Sequence, residues 1–210
     1  MEYSSDRSLL IRLGDPDEVA RVVRLLETEP PDGVVNLHPA YDSVLVVFDA
    51  VRYDHAGLRR AISGRLAAGA DVTLPPPKRM EIPVRYGGGD GPDLDDVAAF
   101  HGLTTQQVVE LHASVSYRVA FLGFAPGFAY LTGLPQQLAT PRLSSPRRRV
   151  PAGSVGIAGN QTAVYPSETP GGWRLIGRTQ VEMFRPGRDP ACLATIGDEV
   201  RFVPEGVTRR

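Results

Sequence analysis

FLGFAPGFAYLTGL, residues 121–134, is almost wholly apolar yet carries three glycines and a proline. Four of its residues are aromatic: Phe121, Phe124, Phe128 and Tyr130. A helix breaks at a Pro-Gly step, and a central strand loses a ladder bond there. The stretch therefore reads as a barrel strand bent at its rim by Pro126-Gly127. The surrounding sequence has the same texture. Of residues 121–180, 16 of 60 are Gly or Pro, and the runs between them are short and apolar. That spacing predicts a small, irregular β-barrel with functional loops. YRVAFLGF (117–124) alternates into it, and QVEMF (180–184), CLATI (192–196) and EVRFV (199–203) are the expected closing strands. Gly197-Asp198 is a hairpin-compatible turn between the last two.

Upstream, the pattern changes. SLLIRL (8–13) predicts a strand. Asp15-Pro16 then opens a helix with Val19, Val22, Val23 and Leu26 on one face. GVVNLHPA and SVLVVFDA predict two strands around Tyr41-Asp42. Asp54 caps a helix carrying Leu58, Ile62 and Leu66, which Gly69 closes. RMEIPVRY (79–86) is a further strand. The order β-α-β-β-α-β is that of a ferredoxin-like split βαβ. The run Pro75–Pro77 interrupts the last connection and marks a domain boundary, so RMEIPVRY is also open to assignment to the second domain. The expected fold class is α+β, with a ferredoxin-like α/β domain over 1–78 and a β-barrel domain over 79–210. Two short helices lead the barrel. One follows the turn Gly87–Asp93 and is capped by Asp93; the other starts with the capping-box spacing of Thr104–Gln107 and turns Val108, Leu111 and His112 inward.

The bulk numbers narrow the function. The chain has 210 residues, 42% hydrophobic and 22% charged, which is globular and not disordered. The formal charge of −1 argues against a general nucleic-acid binder. There is no apolar run near the roughly 20 residues of a membrane helix and no evident signal peptide. Cys192 stands alone, as a small buried hydrophobe, and fits a reducing compartment; the cytoplasm is expected. The near-zero total hides an asymmetry. Residues 121–180 hold six arginines (Arg142, Arg147, Arg148, Arg149, Arg174, Arg178) against one acid, Glu168, for a charge of +5. Solvated loop arginines account for this as well as a carboxylate or phosphate site does, since guanidinium forks bind either anion.

Familiar catalytic signatures are absent. Ser154 lies in PAGSVG, but Ala152 stands where a nucleophile elbow needs its first Gly. His38, His55, His101 and His112 have no ligand spacing, so no metal site is expected. Gly87–Asp93 lacks the Gly-Lys-Ser/Thr of a phosphate loop. What remains is a set of polar groups in glycine-bordered loops: Gln161, Thr162, Tyr165, Ser167, Gly171, Gly172, Trp173, Arg178 and Thr179. Backbone amides beside arginines suit a carboxylate or an amide-derived oxyanion. These loops are equally consistent with mere closure of a barrel.

Three separated motifs carry a resemblance: FLGFAPGFAYL (121–131), PRLSSPRRRVPAGSVGIAGNQTAVYP (141–166) and PGGWRLIGRT (170–179). They resemble the KipI family, which includes the B-type component of the prokaryotic ATP-dependent 5-oxoprolinase, also called allophanate hydrolase subunit one. The resemblance runs from about Ile82 to Phe184. It implies a cyclophilin-like barrel and two partner chains of the same enzyme, one KipA-like and one LamB/YcsF-like. It also implies conversion of 5-oxo-L-proline to L-glutamate with ATP and Mg as co-substrate, active only as a complex and with no tightly bound cofactor. Two alternatives share the motifs: a regulator that inhibits a sensor histidine kinase, and a carboxyltransferase-like part of a urea carboxylase or allophanate hydrolase system. In this setting Phe124, Gly127, Phe128 and Tyr130 are expected as an apolar wall of a substrate pocket, with Arg142, Ser154, Thr162, Tyr165, Gly171 and Gly172 as its polar lining. His112, Gln161 and Arg178 are the catalytic candidates, Arg178 being favoured over Arg142 for a substrate carboxylate. A core histidine is the competing reading of His112. Trp173 is expected at the partner interface, with a buried core Trp as the competing reading.

Overall fold

The computed structural model describes residues 1–69 and 76–205. The chain divides into two compact units, Met1–Pro76 and Pro77–Arg210. Of the proline run expected at the boundary, Pro75 lies outside the described residues.

The first unit contains β1 (Glu2–Ser5), β2 (Ser8–Arg12), α1 (Pro16–Thr28), β3 (Val34–Pro39), β4 (Ser43–Phe48) and α2 (His55–Ala68). The helix starts follow from their caps. The Asp15 carboxylate accepts from the amides of Asp17 and Glu18, and Pro16 occupies the first turn, where its missing N–H is harmless. Asp54 accepts from Gly57 N. Val19, Val22, Val23 and Leu26 of α1 and Leu58 and Ile62 of α2 are buried. The sheet order is β1-β2-β4-β3, antiparallel throughout. The expected sixth element, Arg79–Tyr86, is not in this sheet. Its place beside β2 is taken by β1, a strand the sequence pattern did not announce because all four of its residues are exposed. A two-residue turn joins β1 to β2, so their pairing closes a minimal loop.

The second unit contains β5 (Arg79–Tyr86), α3 (Leu94–His101), α4 (Thr105–Ala113), β6 (Tyr117–Leu122), β7 (Ala129–Thr132), a 3₁₀ turn (Gln136–Leu138), β8 (Arg147–Val150), β9 (Ser154–Ala158), β10 (Gln161–Val164), β11 (Thr169–Gly171), β12 (Arg174–Arg178) and β13 (Glu199–Pro204). Seven strands close a barrel in the order β10-β7-β6-β13-β5-β12-β9, and β8 and β11 form a separate two-stranded ribbon. β13 runs parallel to β5 and antiparallel to β6, which completes the ring. Side-chain alternation then makes two cores. Val155, Ile157, Val164 and Ile176 join Ile82, Val84, Val119, Leu131, Val200 and Phe202 in the larger one, to which α3 and α4 add Leu94, Val97, Ala98 and Val108. Ala158, Ala163, Tyr165 and Leu175, of the opposite parity, pack with Phe128, Val150 and Trp173. The second cluster therefore lies on the outer face of the barrel wall, under the β8–β11 ribbon.

Several local expectations are corrected. Gln180–Phe184 and Cys192–Ile196 form no strands, only an isolated bridge between Phe184 and Cys192, and Cys192 is partly exposed, not buried. The hairpin at Gly197-Asp198 does not form because the Asp198 carboxylate accepts from Thr195 N and Lys78 N, tying that turn to the start of β5. The turn Gly87–Asp93 is tied to β12. Gly87 N and Asp93 N donate to the carbonyls of Ile176 and Leu175, and a Cβ at Gly91 would fall 2.1 Å from the Ile176 carbonyl oxygen. Asp93 does not cap α3 with its side chain; its carboxylate is used across the fold instead. The Thr104–Gln107 capping box forms with both of its bonds.

Candidate functional site

The bend foreseen in residues 121–134 is built from three backbone bonds. Gly123 N donates to Phe128 O, Ala125 N to Gly123 O at 2.7 Å, and Phe128 N to Ala125 O. Gly127 has φ +80°, and a Cβ there would lie 2.6 Å from Phe184 Cβ, so only glycine closes this turn. From the bend the aromatic rings run inward as a chain of edge-to-face contacts. Phe124 meets Phe128 (5.3 Å between centroids), and Phe128 meets Tyr165 (5.2 Å), Tyr130 (5.0 Å) and Trp173 (5.5 Å). The Arg142 guanidinium lies over the Trp173 ring at 5.9 Å. Gly171 is required by the same packing, since a Cβ would fall 2.4 Å from the Tyr165 hydroxyl.

A second guanidinium approaches from the ribbon. Asp93, 4% exposed, accepts from Arg147 Nη2 through one oxygen and from Leu175 N through the other, both at 2.6 Å. Arg147 Nη1 is buried and hydrogen-bonded to nothing among the described residues. Burial pushes the Tyr165 phenol up, and the Arg142 and Arg147 charges oppose that rise. Tyr130 is raised by burial too, again against Arg142. The one acid of this region, Glu168, is held by both Nε and Nη2 of Arg149, and that hydrogen bonding pulls its carboxyl down.

The expected site residues separate into two faces. Ser154 pairs with Arg178 across β9 and β12, and Tyr165 N donates to Ser154 O, so Tyr165, Ser154 and Arg178 form a row on neighbouring strands. Strands lie about 4.8 Å apart, so Arg178 is about 10 Å along the rim from Tyr165 at the backbone. Arg178 Nε donates to the Ala152 carbonyl. Phe124, Tyr130, Arg142, Gly172, Gln161 and Arg178 keep exposed or partly exposed surface. Phe128, Ser154 and Tyr165 are at most 2% exposed and offer no surface to a ligand. They are packing residues, contrary to the expected pocket lining. Trp173 is corrected likewise. It is 5% exposed, because its ring fills the space between the barrel wall and the ribbon, so it is a core residue and not an interface one.

His112 and Thr162 belong to the barrel interior. His112 is fully buried, stacked on Phe202 at 4.6 Å, with Nε2 bonded to Thr162 Oγ1 and Nδ1 to the Tyr86 hydroxyl. Thr162 Oγ1 also bonds to the Gly156 carbonyl, which can only accept. The directions follow from that end. Thr162 donates to Gly156 O, Nε2–H donates to Thr162, and the bare Nδ1 accepts from Tyr86. Burial pushes the imidazole down to about 3, so it stays neutral. His112 is thus a satisfied core histidine rather than a catalytic one, and Thr162, wholly buried beside it, is not open to a substrate. Sequence spacing carried no signal for Tyr86, 26 positions from His112, or for Asp93 with Arg147.

Clefts among the described residues lie away from the aromatic face. One of about 560 Å³ is lined by Tyr86, Leu94, Val109, Ala113 and Pro204 among others; one of about 410 Å³ by Arg79, Glu81, Ser116, Glu199 and Arg201 among others. Neither includes an expected site residue. Among the described residues no three His, Cys, Asp or Glu side chains converge to hold a metal ion. No helix among them is long and apolar enough to cross a membrane.

The fold and the site define a barrel protein that presents arginines and aromatic rings at its rim, with each nearby carboxylate already bound and its buried histidine locked neutral. Among the described residues of this face, Glu168 is held by Arg149 and Asp93 by Arg147. The chain belongs to the family described as carboxyltransferase domain, subdomain C and D, whose model matches residues 1–194. It is 41% identical over 219 residues to the B-type component of 5-oxoprolinase from Bacillus subtilis strain 168, covering 97% of this chain and 91% of that protein. It is 61% identical over 136 residues to the protein of the same name from Escherichia coli O157:H7, covering 65% of this chain and 62% of the relative. Among solved structures, TTHA0988 superposes with a TM-score of 0.84 at 36% identity over 98% of this chain; the match spans 41% of that longer protein.

Proposed function

We propose that this chain is the B-type component of an ATP-dependent 5-oxoprolinase. In this reading it acts with a KipA-like chain and a LamB/YcsF-like chain to convert 5-oxo-L-proline, ATP and water to L-glutamate, ADP and phosphate. The likeness to relatives named as B-type components of 5-oxoprolinase, running along 97% of the chain in one case, supports the activity. The observation that carries the division of labour is the missing base. Opening a lactam requires an activated amide carbonyl, a water relieved of its proton, and a protonated leaving nitrogen. On this face Glu168 is committed to Arg149, Asp93 to Arg147 and Leu175 N, and His112 is interior and neutral. The chain's own contribution is therefore recognition. Arg142 or Arg178 takes the carboxylate through a charge-assisted bond, and Phe124 and Tyr130 flank the apolar ring edge. The partner chains supply the base and the ligands of the Mg that accompanies ATP. The cyclophilin-like description of the barrel and the ferredoxin-like description of the first unit belong to the same reading.

The test is 5-oxoproline-dependent ADP release by the three chains mixed. Turnover by the mixture supports the proposal. Robust turnover by the isolated chain refutes the shared site, and failure to bind any KipA-like chain favours the kinase-regulator alternative.

A further inference from the structure

The loop after Thr140 is fastened residue by residue to the segment that opens β12. Leu143 N donates to Gly172 O at 2.8 Å, the Arg142 guanidinium lies 5.9 Å over the Trp173 ring, and Arg174 Nε donates to Pro141 O at 3.4 Å. Positions 141, 142 and 143 thus meet 174, 173 and 172 in turn. Arg174 is braced from a third element. Its Nη1 pairs with Asp96 Oδ2 of α3 at 3.2 Å, and its side chain is only 25% exposed. Of the three clamped residues, Arg142 alone carries a polar side chain, and that residue is exposed. Its guanidinium has no hydrogen bond or ion pair among the described residues. A guanidinium packed over an indole ring keeps its N–H donors for another partner. Closing the loop requires no arginine at position 142.

We propose that Arg174 is a positioning residue: braced by Asp96, it holds the 141–143 loop so that Arg142, set over the Trp173 ring, takes the carboxylate of the lactam substrate. This role rests on the reading of the chain as a 5-oxoprolinase component and goes beyond it, because it selects Arg142 over Arg178. Arg178 spends Nε on the Ala152 carbonyl at 2.9 Å. Arg142 stands at the aromatic face itself, where its charge opposes the burial-driven rise of both the Tyr130 and the Tyr165 phenols. An anion placed there meets a guanidinium whose donors are unspent. The loop that carries it is fixed on both sides, so little freedom is lost on binding.

The experiment compares wild type, Arg174→Met, Arg142→Ala and the double variant in the three-chain mixture, and repeats Arg174→Met in an Arg178→Ala background. Arg174→Met keeps the aliphatic stem and removes both polar contacts. It is expected to raise KM for 5-oxoproline roughly tenfold with kcat within about twofold, the pattern of a lost binding contact. The rise is expected to vanish when position 142 is already alanine and to persist when position 178 is. The Ki of 2-pyrrolidinone, the same lactam without a carboxylate, is expected not to move. Asp96→Asn, at an exposed position, is expected to raise KM in the same direction by about threefold, and it replaces Arg174→Met if that variant does not fold. A KM within about twofold of wild type in the folded Arg174→Met complex overturns the proposal. So does an equal rise in the Arg142→Ala background or for 2-pyrrolidinone, which would leave Arg174 a purely structural role. In the isolated chain, the Arg142 Nε–H NMR signal is expected to be that of an ordered side chain in wild type and of a mobile one in Arg174→Met. An unchanged signal overturns the clamp. A wild-type mixture without turnover would sink the 5-oxoprolinase reading itself, and the NMR comparison then decides the clamp alone.

Discussion

His112 provides a stability prediction with a definite sign. Its imidazole is fully buried, with both nitrogens engaged by Tyr86 and Thr162, and burial lowers its pKa from 6.5 to about 3. Above pH 6.5 the ring is neutral folded and unfolded, and ionisation costs nothing. As pH falls below 6.5 the unfolded chain takes up a proton that the folded chain refuses. Stability then declines by up to about 1.36 kcal/mol per pH unit until the folded ring itself titrates near 3. Integrated from pH 7 to pH 5, the loss is about 2 kcal/mol, and it depends only on the folded pKa lying well below 5. Trp173, the single tryptophan and 5% exposed, reports barrel unfolding by fluorescence. Urea titrations at pH 7 and 5, on wild type and His112→Gln, isolate this contribution. The variant is expected to be less stable at pH 7, having lost fitted hydrogen bonds, but to lose about 2 kcal/mol less than wild type on acidification. Equal losses in the two proteins would refute the buried neutral histidine and reopen it as a titrating catalytic group.

Three further outcomes are expected. Asp93→Asn should cost about 2 kcal/mol by urea denaturation, since it strips the counter-charge from a mostly buried Arg147 whose side chain is 28% exposed. Gly171→Ala should cost about 2–3 kcal/mol, because the new methyl meets a Tyr165 hydroxyl on a side chain with no room to swing. A fragment beginning at Pro77 should fold alone with dispersed amide signals, as the Lys78 amide and carbonyl are bonded within the second unit, to Asp198 Oδ1 and Glu199 N; collapse of that dispersion would count against an autonomous barrel.

What could be read in advance was local. The caps at Asp15, Asp54 and Thr104 depend on residues within one helical turn, and all three form. The barrel strand Glu199–Pro204 alternates over Glu199–Phe202 and was legible for the same reason; Tyr117–Leu122 was legible from composition although a register shift interrupts its alternation. The failures involve distant partners. Asp93 has the right spacing for a cap, but the Leu175 amide and Arg147 take its carboxylate from α3. CLATI has strand composition, yet Asp198 draws its end to Lys78. β1 has no apolar alternation and pairs because β2 is adjacent in sequence. At the site, residue types were legible and depth was not. Phe124 and Phe128 stand in one apolar run, one 62% and the other 1% exposed. Only the positive φ of the bend and the ribbon folded over Trp173 decide which ring faces outward.

The most direct test of the central claim is glutamate formation from 5-oxoproline and ATP in a drop-out series: this chain alone, the KipA-like and LamB/YcsF-like chains without it, and all three. The account predicts glutamate only from the complete mixture. Glutamate from this chain alone, or an undiminished yield when it is omitted, would contradict it.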